Sequence, residues 1–185
     1  RFQTCSNRLL DACFSFLDLT SLRAAETVCS RWRSACIDNS SAWATVLTNS
    51  RTIDKCWWTD FHRHRLKARS ICNMREADVQ FSRDESVSML VRPTSAQPLF
   101  RTLAQLRALE VLHVDSNQRF TASPLMQLTT VVELSIRGAN AKDLEALVSA
   151  PLGRNISAMT LSGDSDFSTR HLTALSLLSR LIKLK

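Results

Sequence analysis

The N-terminal quarter of the chain carries two apolar stripes at helical spacing. The first stripe consists of Leu9, Leu10, Cys13, Phe14 and Leu17, a spacing that lines one face of a short helix. Residues typical of caps and turns follow it, and a second helical stripe then consists of Leu22, Ala25, Val28, Cys29 and Trp32. Trp43 closes this unit. A helical module of about forty residues buries only a thin core alone, so we expect it to borrow apolar surface from a partner.

The C-terminal half carries a repeated apolar pattern. A template of five positions, Leu103, Leu106, Leu109, Leu112 and Val114, recurs 22 residues later as Leu125, Leu128, Val131, Leu134 and Ile136. Further copies follow with Ile156, Met159 and Leu161, and with Leu175, Leu178, Leu181 and Leu184. Val87 and Leu90 suggest that the array starts near residue 80. A period in the twenties with an L-x-x-L-x-L core is typical of leucine-rich repeats, whose leucines share a core that neighbouring turns close.

This register predicts a working surface. The side chains between the core leucines are expected to face the concave side of the array: Val111, His113, Asp115, Glu133, Ser135, Arg137, Thr160 and Ser162. The set is mixed in charge and has no aromatic cluster, so it favours a protein segment as the ligand. The alternative is a purely structural array whose working surface lies beyond residue 185. The array stops in mid-repeat without a polar cap, so we expect the protein to continue.

Most of the basic charge lies between the two modules. Residues 51–75 hold seven basic and two acidic side chains, a local charge of +5 in a chain of +7. Arg63, Arg65, Lys67 and Arg69 could clamp RNA phosphates while Trp57, Trp58 and Phe61 stack on bases. The interpretation that we favour is a solvated helix face whose tryptophans seal the helical module against the repeats.

Composition narrows the class of protein. A hydrophobic content of 44% with 22% charged residues is that of a soluble globular protein, and no apolar stretch approaches a membrane span, so no membrane contact is predicted. The six cysteines form no C-x-x-C pair, which favours a reducing compartment, the cytoplasm or the nucleus. The chain starts at Arg1 rather than Met, so we interpret it as a fragment or a processed form.

The sequence contains no recognisable motif for a metal site or a catalytic site. Cys56, His62, His64 and Cys72 could supply four zinc ligands, but their spacing lacks the close pairs of structural zinc sites. The three glycines form no phosphate-binding loop, and neither the G-x-S-x-G nor the H-E-x-x-H motif occurs. We therefore predict a non-enzyme without a metal ion or cofactor.

The N-terminal stripes resemble the F-box. The resemblance rests on the run Phe14-Ser15-Phe16-Leu17-Asp18, then Leu22, the run Val28-Cys29-Ser30-Arg31-Trp32, and Trp43. The family usually opens with Leu-Pro, where this chain has Cys5-Ser6. Together with the repeats, the resemblance is to F-box proteins with leucine-rich repeats.

This resemblance implies a mixed α/β protein in three parts. Residues 1–50 would form an all-α F-box domain, 51–80 a basic linker region, and 81–185 an α/β leucine-rich-repeat solenoid. In the family, the F-box docks on a Skp adaptor and cullin, and the repeats hold the substrate of an SCF-type cullin–RING ubiquitin ligase. Position matching assigns adaptor contact, or the packing that shapes it, to Leu9, Leu10, Phe14, Leu17, Val28, Cys29 and Trp32. Replacing Trp32 with alanine is expected to cost about 3–5 kcal/mol and to abolish docking.

Two alternatives stay open. The chain could be a structural subunit of a large ribonucleoprotein such as a mitochondrial ribosome, which the basic segment 51–75 and Cys5-Ser6 favour. It could also bind the adaptor without a cullin, as a scaffold in trafficking or in a kinetochore-like assembly.

Overall fold

The fold is a helical module followed by a parallel sheet with helical crossovers. The computed structural model describes residues 7–81, 97–116, 123, 125–162 and 168–185. Cys5-Ser6, Val87 and Leu90 lie outside the described residues. The helices are α1 (Asn7–Phe14), α2 (Leu19–Val28), α3 (Ser30–Asp38), α4 (Ser40–Asn49), α5 (Lys55–Arg63), α6 (Gln97–Leu103), α7 (Ala141–Ser149) and α8 (Thr169–Leu175). Short 3-10 turns occupy Ala68–Ile71, Leu125–Gln127 and Pro151–Arg154.

Side-chain caps fix where three of the N-terminal helices begin. Asp18 accepts a hydrogen bond from the Ser21 amide, Asn39 from the Ala42 amide and Asp54 from the Trp57 amide. Each of these bonds satisfies an amide that the first turn of a helix leaves without a partner. The caps therefore set the starts of α2, α4 and α5.

The helix boundaries correct the two predicted stripes. The first helix ends at Phe14, where Leu10 and Phe14 are buried but Leu9 and Cys13 face solvent. The second stripe is not one helix, because Cys29 adopts an extended backbone (φ −161°, ψ 167°) between α2 and α3. The extended residue interrupts the helical spacing, and Val28 and Cys29 do not continue the buried face of α2 and are exposed. Of the two roles expected for Val28 and Cys29, adaptor contact or the packing that shapes it, their exposure fits the first.

Six parallel strands form one sheet in chain order. They are β1 (Thr52–Ile53), β2 (Glu76–Phe81), β3 (Val111–Ser116), β4 (Glu133–Arg137), β5 (Ala158–Ser162) and β6 (Lys183–Leu184). The register aligns Leu112 with Leu134, Leu134 with Met159, and Met159 with Leu184. These are equivalent positions of the predicted repeat, so consecutive copies lie side by side in the sheet.

One hydrophobic core runs from the helical module into the sheet. All ten residues of the first two template copies are buried, as are Ile156 and Met159. Trp57 in α5 is fully buried, and its indole Nε1 donates a hydrogen bond to the Leu47 carbonyl in α4 at 3.1 Å. This supports the interpretation of the tryptophans as a seal. Base stacking by Trp57 and Phe61 was wrong, because both rings are buried against each other.

Candidate protein-docking surface

The N-terminal helices leave large apolar side chains in solvent. The exposed fraction is 88% for Phe16, 60% for Val28 and 52% for Leu9. Phe16 lies in the turn after α1, and Val28 is the last residue of α2. Cys13 and Cys29 are exposed as well. We call Leu9, Cys13, Phe16, Val28 and Cys29 the apolar docking set; exposed large apolar side chains such as Leu9, Phe16 and Val28 are typical of protein-binding surfaces.

A packed layer supports this set. Phe14 is buried and meets Trp32 edge to face, with ring centroids 5.5 Å apart. Leu22 and Ala25 of α2 are buried, and Leu17 is half-buried against the core. Asn39 donates from Nδ2 to the Asp11 carbonyl at 3.1 Å, which ties the start of α4 to α1. The positions of Phe16 and Val28 therefore depend on side chains that the docking partner would not touch.

The structure divides the predicted adaptor residues into two groups. Leu9, Val28 and Cys29 are exposed and available for contact, whereas Leu10 and Phe14 are buried and Leu17 and Trp32 are half-buried. Phe16 is more exposed than Leu9 and Val28, and sequence reasoning did not assign it to the adaptor. The signal was its place one position outside the stripe, since an aromatic side chain off the buried face must face water.

A buried polar cluster fastens α5 to α2 behind this surface. Glu26 of α2 lies 3.1 Å from Arg63 Nη1 and 2.9 Å from His64 Nε2, measured from its two carboxylate oxygens. Asp60 accepts a hydrogen bond from Arg23 Nε at 2.9 Å. The His64 ring stacks on Trp43 with centroids 3.8 Å apart. Two buried carboxylates thus each have an arginine partner on the facing helix, which fixes how α5 sits on the module.

Burial sets the protonation of this cluster. It raises the pKa of Glu26, and the Arg63 guanidinium opposes that rise. Burial lowers the pKa of His64 to about 4, and the Asp60 carboxylate opposes that lowering. The His64 ring is therefore uncharged at neutral pH, and Glu26 relies on Arg63 for its counter-charge.

The four zinc-ligand candidates have different surroundings. His64 is buried in the stack on Trp43, while Cys56, His62 and Cys72 are exposed. The His62 ring packs edge-on against the Trp58 ring, and the two ring centroids are 4.2 Å apart. Across the described ranges, no group of three His, Cys, Asp or Glu side chains is arranged to hold a metal ion. Nor is any helix in these ranges long and apolar enough to cross a membrane.

All eight predicted substrate-facing residues share one face of the sheet. Their chain neighbours Leu112, Val114, Leu134 and Ile136 are buried on the opposite face. In cross-strand rows, His113 lies beside Ser135 and Ser135 beside Thr160, while Asp115 lies beside Arg137 and Arg137 beside Ser162. Val111 lies beside Glu133 in the row before them. Arg137 and Asp115 form a loose ion pair at 3.6 Å, and His113 lies 3.8 Å from Glu76.

The basic segment presents fewer free cations than its composition suggests. Arg63 is engaged with Glu26, as described above. Arg65 and Lys67 are exposed in the connection after α5, where Arg65 adopts a left-handed backbone conformation with φ 51°. Arg69 is exposed in the 3-10 turn Ala68–Ile71. The predicted RNA-binding residues thus divide into one cation in a protein ion pair and three that face solvent.

Comparison with known proteins assigns the helical module. Residues 8–49 match the family model described as F-box-like, and no curated protein matches the chain. The matched range spans α1 to α4 and includes every residue of the apolar docking set. F-box domains bind Skp-type adaptors and serve in general as the adaptor-docking part of SCF substrate receptors. Residues 8–49 of this chain are therefore an F-box-like domain.

Proposed function

We propose that this chain is a substrate-receptor subunit of an SCF-type cullin–RING ubiquitin ligase. The observation that carries the proposal is the apolar docking set on a domain whose family binds Skp-type adaptors. Covering a large apolar side chain stabilises a complex by about 1.5–3 kcal/mol. Phe16 and Val28 together would thus supply a substantial part of a micromolar affinity, which corresponds to about 8 kcal/mol.

In this proposal the sheet is the inner layer of a leucine-rich-repeat solenoid. The support is the strand order, the alignment of equivalent template positions in neighbouring strands, and the burial of the template leucines. The exposed face of β3 to β5 would then bind the substrate protein through the eight residues Val111, His113, Asp115, Glu133, Ser135, Arg137, Thr160 and Ser162. Strand positions suit this role because the sheet holds them rigidly.

The chain would act by proximity rather than by chemistry of its own. The adaptor and cullin would hold the F-box-like domain, and the sheet would hold the substrate. A target lysine then meets the charged ubiquitin-conjugating enzyme at a high effective concentration. We place the complex in the cytoplasm or nucleus, and the five cysteines in the described part of the chain are free thiols, in keeping with a reducing compartment.

The test is affinity capture of residues 1–185 from a cell extract at moderate salt, followed by mass spectrometry. We expect a Skp-type adaptor and a cullin in the wild-type sample and their loss with Phe16→Asp. Leu172→Asp is the matched control, because Leu172 is an exposed leucine on α8, outside the F-box-like domain. Equal recovery of the adaptor with Phe16→Asp and wild type would refute the assignment. Recovery of adaptor without cullin would favour the scaffold alternative.

A second candidate function is a structural subunit of a ribonucleoprotein, such as a mitochondrial ribosome. Exposed Arg65, Lys67 and Arg69 favour it. Because Trp57 and Phe61 are buried, RNA binding here would rest on phosphate contacts and would weaken steeply with salt. Neutralising Arg65, Lys67 and Arg69 to glutamine should then abolish retention of RNA at low salt. If these changes leave RNA retention unchanged, the second candidate fails.

A further inference from the structure

A polar groove lies where the F-box-like domain meets the first strands of the sheet. Its cavity has a volume of about 790 Å³. One wall is the outer face of α4 (Ser40–Asn49), and the other is formed by Arg51 and by side chains from residues 70–76. The groove contains no member of the apolar docking set and none of the eight strand residues proposed to bind substrate.

The lining selects for a polar ligand. Hydroxyl groups from serine and threonine, the amides of Asn49 and Asn73, two arginines and Glu76 form the surface. Among the described residues that line it, Ala44 is the only apolar one. Nucleic-acid bases bind by stacking on aromatic rings, and apolar anchors need an apolar pocket. The groove offers neither, so hydrogen bonds and charge must decide what it binds.

The charge of the lining selects for an anion. Arg51 Nε lies 3.4 Å from Glu76 Oε2, a contact that leaves the terminal amino groups of its guanidinium available. Arg75 makes no ion pair with any residue that the structure describes, and it is exposed. The lining thus has two guanidinium groups, those of Arg51 and Arg75, and one carboxylate, that of Glu76. This carboxylate already contacts Arg51 and His113. Guanidinium groups bind carboxylate or phosphate oxygens with paired, charge-assisted hydrogen bonds.

We propose that this groove binds an extended acidic segment of a partner protein. The acidic side chains contact Arg75 and the free end of Arg51, and the amides of Asn49 and Asn73 hydrogen-bond to the segment's backbone. The threonine hydroxyls of the lining already donate to carbonyls of α4, so they can only accept hydrogen bonds from the segment. The wall made by the ten residues of α4 is about 14 Å long at 1.5 Å per residue. That length accommodates about four residues of extended chain. A lone small anion would use the arginines and leave the amides along the rest of the wall without a ligand.

The site stands apart from the proposed ligase function. It requires no adaptor contact and uses none of the eight strand residues, so its test can fail while the proposed function holds. Glu76 is near those residues, 3.8 Å from His113, so the arginine variants carry this distinction. The groove would be a separate binding surface next to the F-box-like domain. It would select its ligand by charge, whereas the apolar docking set would bind apolar side chains.

The experiment measures fluorescence anisotropy of a labelled peptide with the whole chain at low salt. The probes are the tetrapeptide Glu-Asp-Glu-Asp, its uncharged analogue Gln-Asn-Gln-Asn, and a version with phosphoserine at the second position. We expect binding of both anionic peptides and none of the uncharged one. Arg75→Gln should weaken binding about tenfold, the effect of losing one charge-assisted pair. Arg170→Gln, which removes an exposed arginine of α8 far along the chain, should leave the affinity unchanged.

Glu76→Gln gives a change of the opposite sign. Removing this carboxylate releases Arg51 and ends its repulsion of the ligand, so the affinity for Glu-Asp-Glu-Asp should rise about threefold. Tighter binding of the phosphoserine peptide with the same response to Arg75→Gln would identify phosphate as the preferred anion. Equal loss in Arg75→Gln and Arg170→Gln would overturn the proposal, because it would mean general attraction to a basic chain. Displacement of the peptide by an equal concentration of inorganic phosphate would also overturn it, in favour of a small-anion site.

Discussion

Trp32 links the stability of the F-box-like domain to its docking surface, and replacing it with alanine tests that link. Its ring packs edge to face on Phe14 and is half-buried. Removing a fully buried large aromatic side chain costs about 3–5 kcal/mol. Because part of the ring already faces solvent, we expect about 2–3 kcal/mol, which includes the loss of the aromatic pair. This is below the cost of about 3–5 kcal/mol that the sequence predicts, because the structure leaves part of the ring in solvent.

The comparison variant is Trp43→Ala, whose ring is fully buried. Its indole Nε1 donates to the Cys36 carbonyl at 3.1 Å, and its face stacks on His64. Losing this ring, its stacking on His64 and its hydrogen bond to the carbonyl should cost about 4–5 kcal/mol. Trp43→Ala should therefore be clearly less stable than Trp32→Ala.

The assay is urea unfolding followed by circular dichroism, paired with adaptor affinity below the unfolding transition. In a domain of this size, the Trp32→Ala loss corresponds to a drop of about 4–12 °C in melting temperature. Folded Trp32→Ala should also bind the adaptor at least tenfold more weakly, since Phe14 loses the ring that sets the turn carrying Phe16. Full adaptor affinity in folded Trp32→Ala, or a greater loss of stability than in Trp43→Ala, would refute this reasoning.

Two further predictions concern the buried cluster and the 3-10 turn Pro151–Arg154. Burial lowers the pKa of His64 from 6.5 to about 4, so the unfolded chain takes up this proton first and His64 lowers the free energy of unfolding as pH drops from 6.5 to 4. Glu26, whose pKa burial raises, acts in the opposite direction, so the His64 contribution is read from the difference between wild type and variant. Urea titrations across that range should show a larger fall in wild type than in His64→Phe; parallel profiles would remove His64 as the cause. Gly153→Ala should destabilise the chain by about 1–3 kcal/mol, because the new Cβ would lie 2.2 Å from the Val148 carbonyl oxygen. Thermal melts check it against Ala146→Ser on α7, and an unchanged midpoint for Gly153→Ala would mean that the turn rearranges freely.

The sheet could be predicted from sequence because its pattern is repetitive. The spacing of 22 residues places Leu112 and Leu134 at equivalent positions, and the strands pair them directly. The period of a repeat predicts which residues lie side by side in neighbouring strands, because each copy must bury the same side chains against the next. The eight residues on the exposed face follow from the same alternation.

The break at Cys29 could not be predicted by the same means. The run from Val28 to Trp32 contains neither glycine nor proline, and its apolar spacing continues that of α2. Nothing local marks the extended residue that separates the two helices, so the spacing placed Val28 on one stripe with the buried Leu22 and Ala25, although it is exposed. At Cys29, tertiary packing overrides the helical conformation that the local apolar spacing predicts.

The polar contacts were also beyond local patterns. Glu26 and Arg63 are 37 positions apart, and only the fold shows that this cation serves a buried carboxylate instead of RNA. The groove has the same origin, because α4 reads as an ordinary solvated face until Arg51 and Arg75 are brought against it. Such sites depend on which elements meet, and the spacing of residues within one element does not contain that information.

The most direct test of the account is a calorimetric titration of a purified Skp-type adaptor into the whole chain. We predict saturable binding at a ratio of one to one, with a negative heat-capacity change from the burial of apolar surface. Phe16→Asp should weaken it at least tenfold, and Leu172→Asp should match wild type. Absence of binding by the folded wild-type chain, or equal affinity of wild type and Phe16→Asp, would contradict the claim that this surface is an adaptor-docking site.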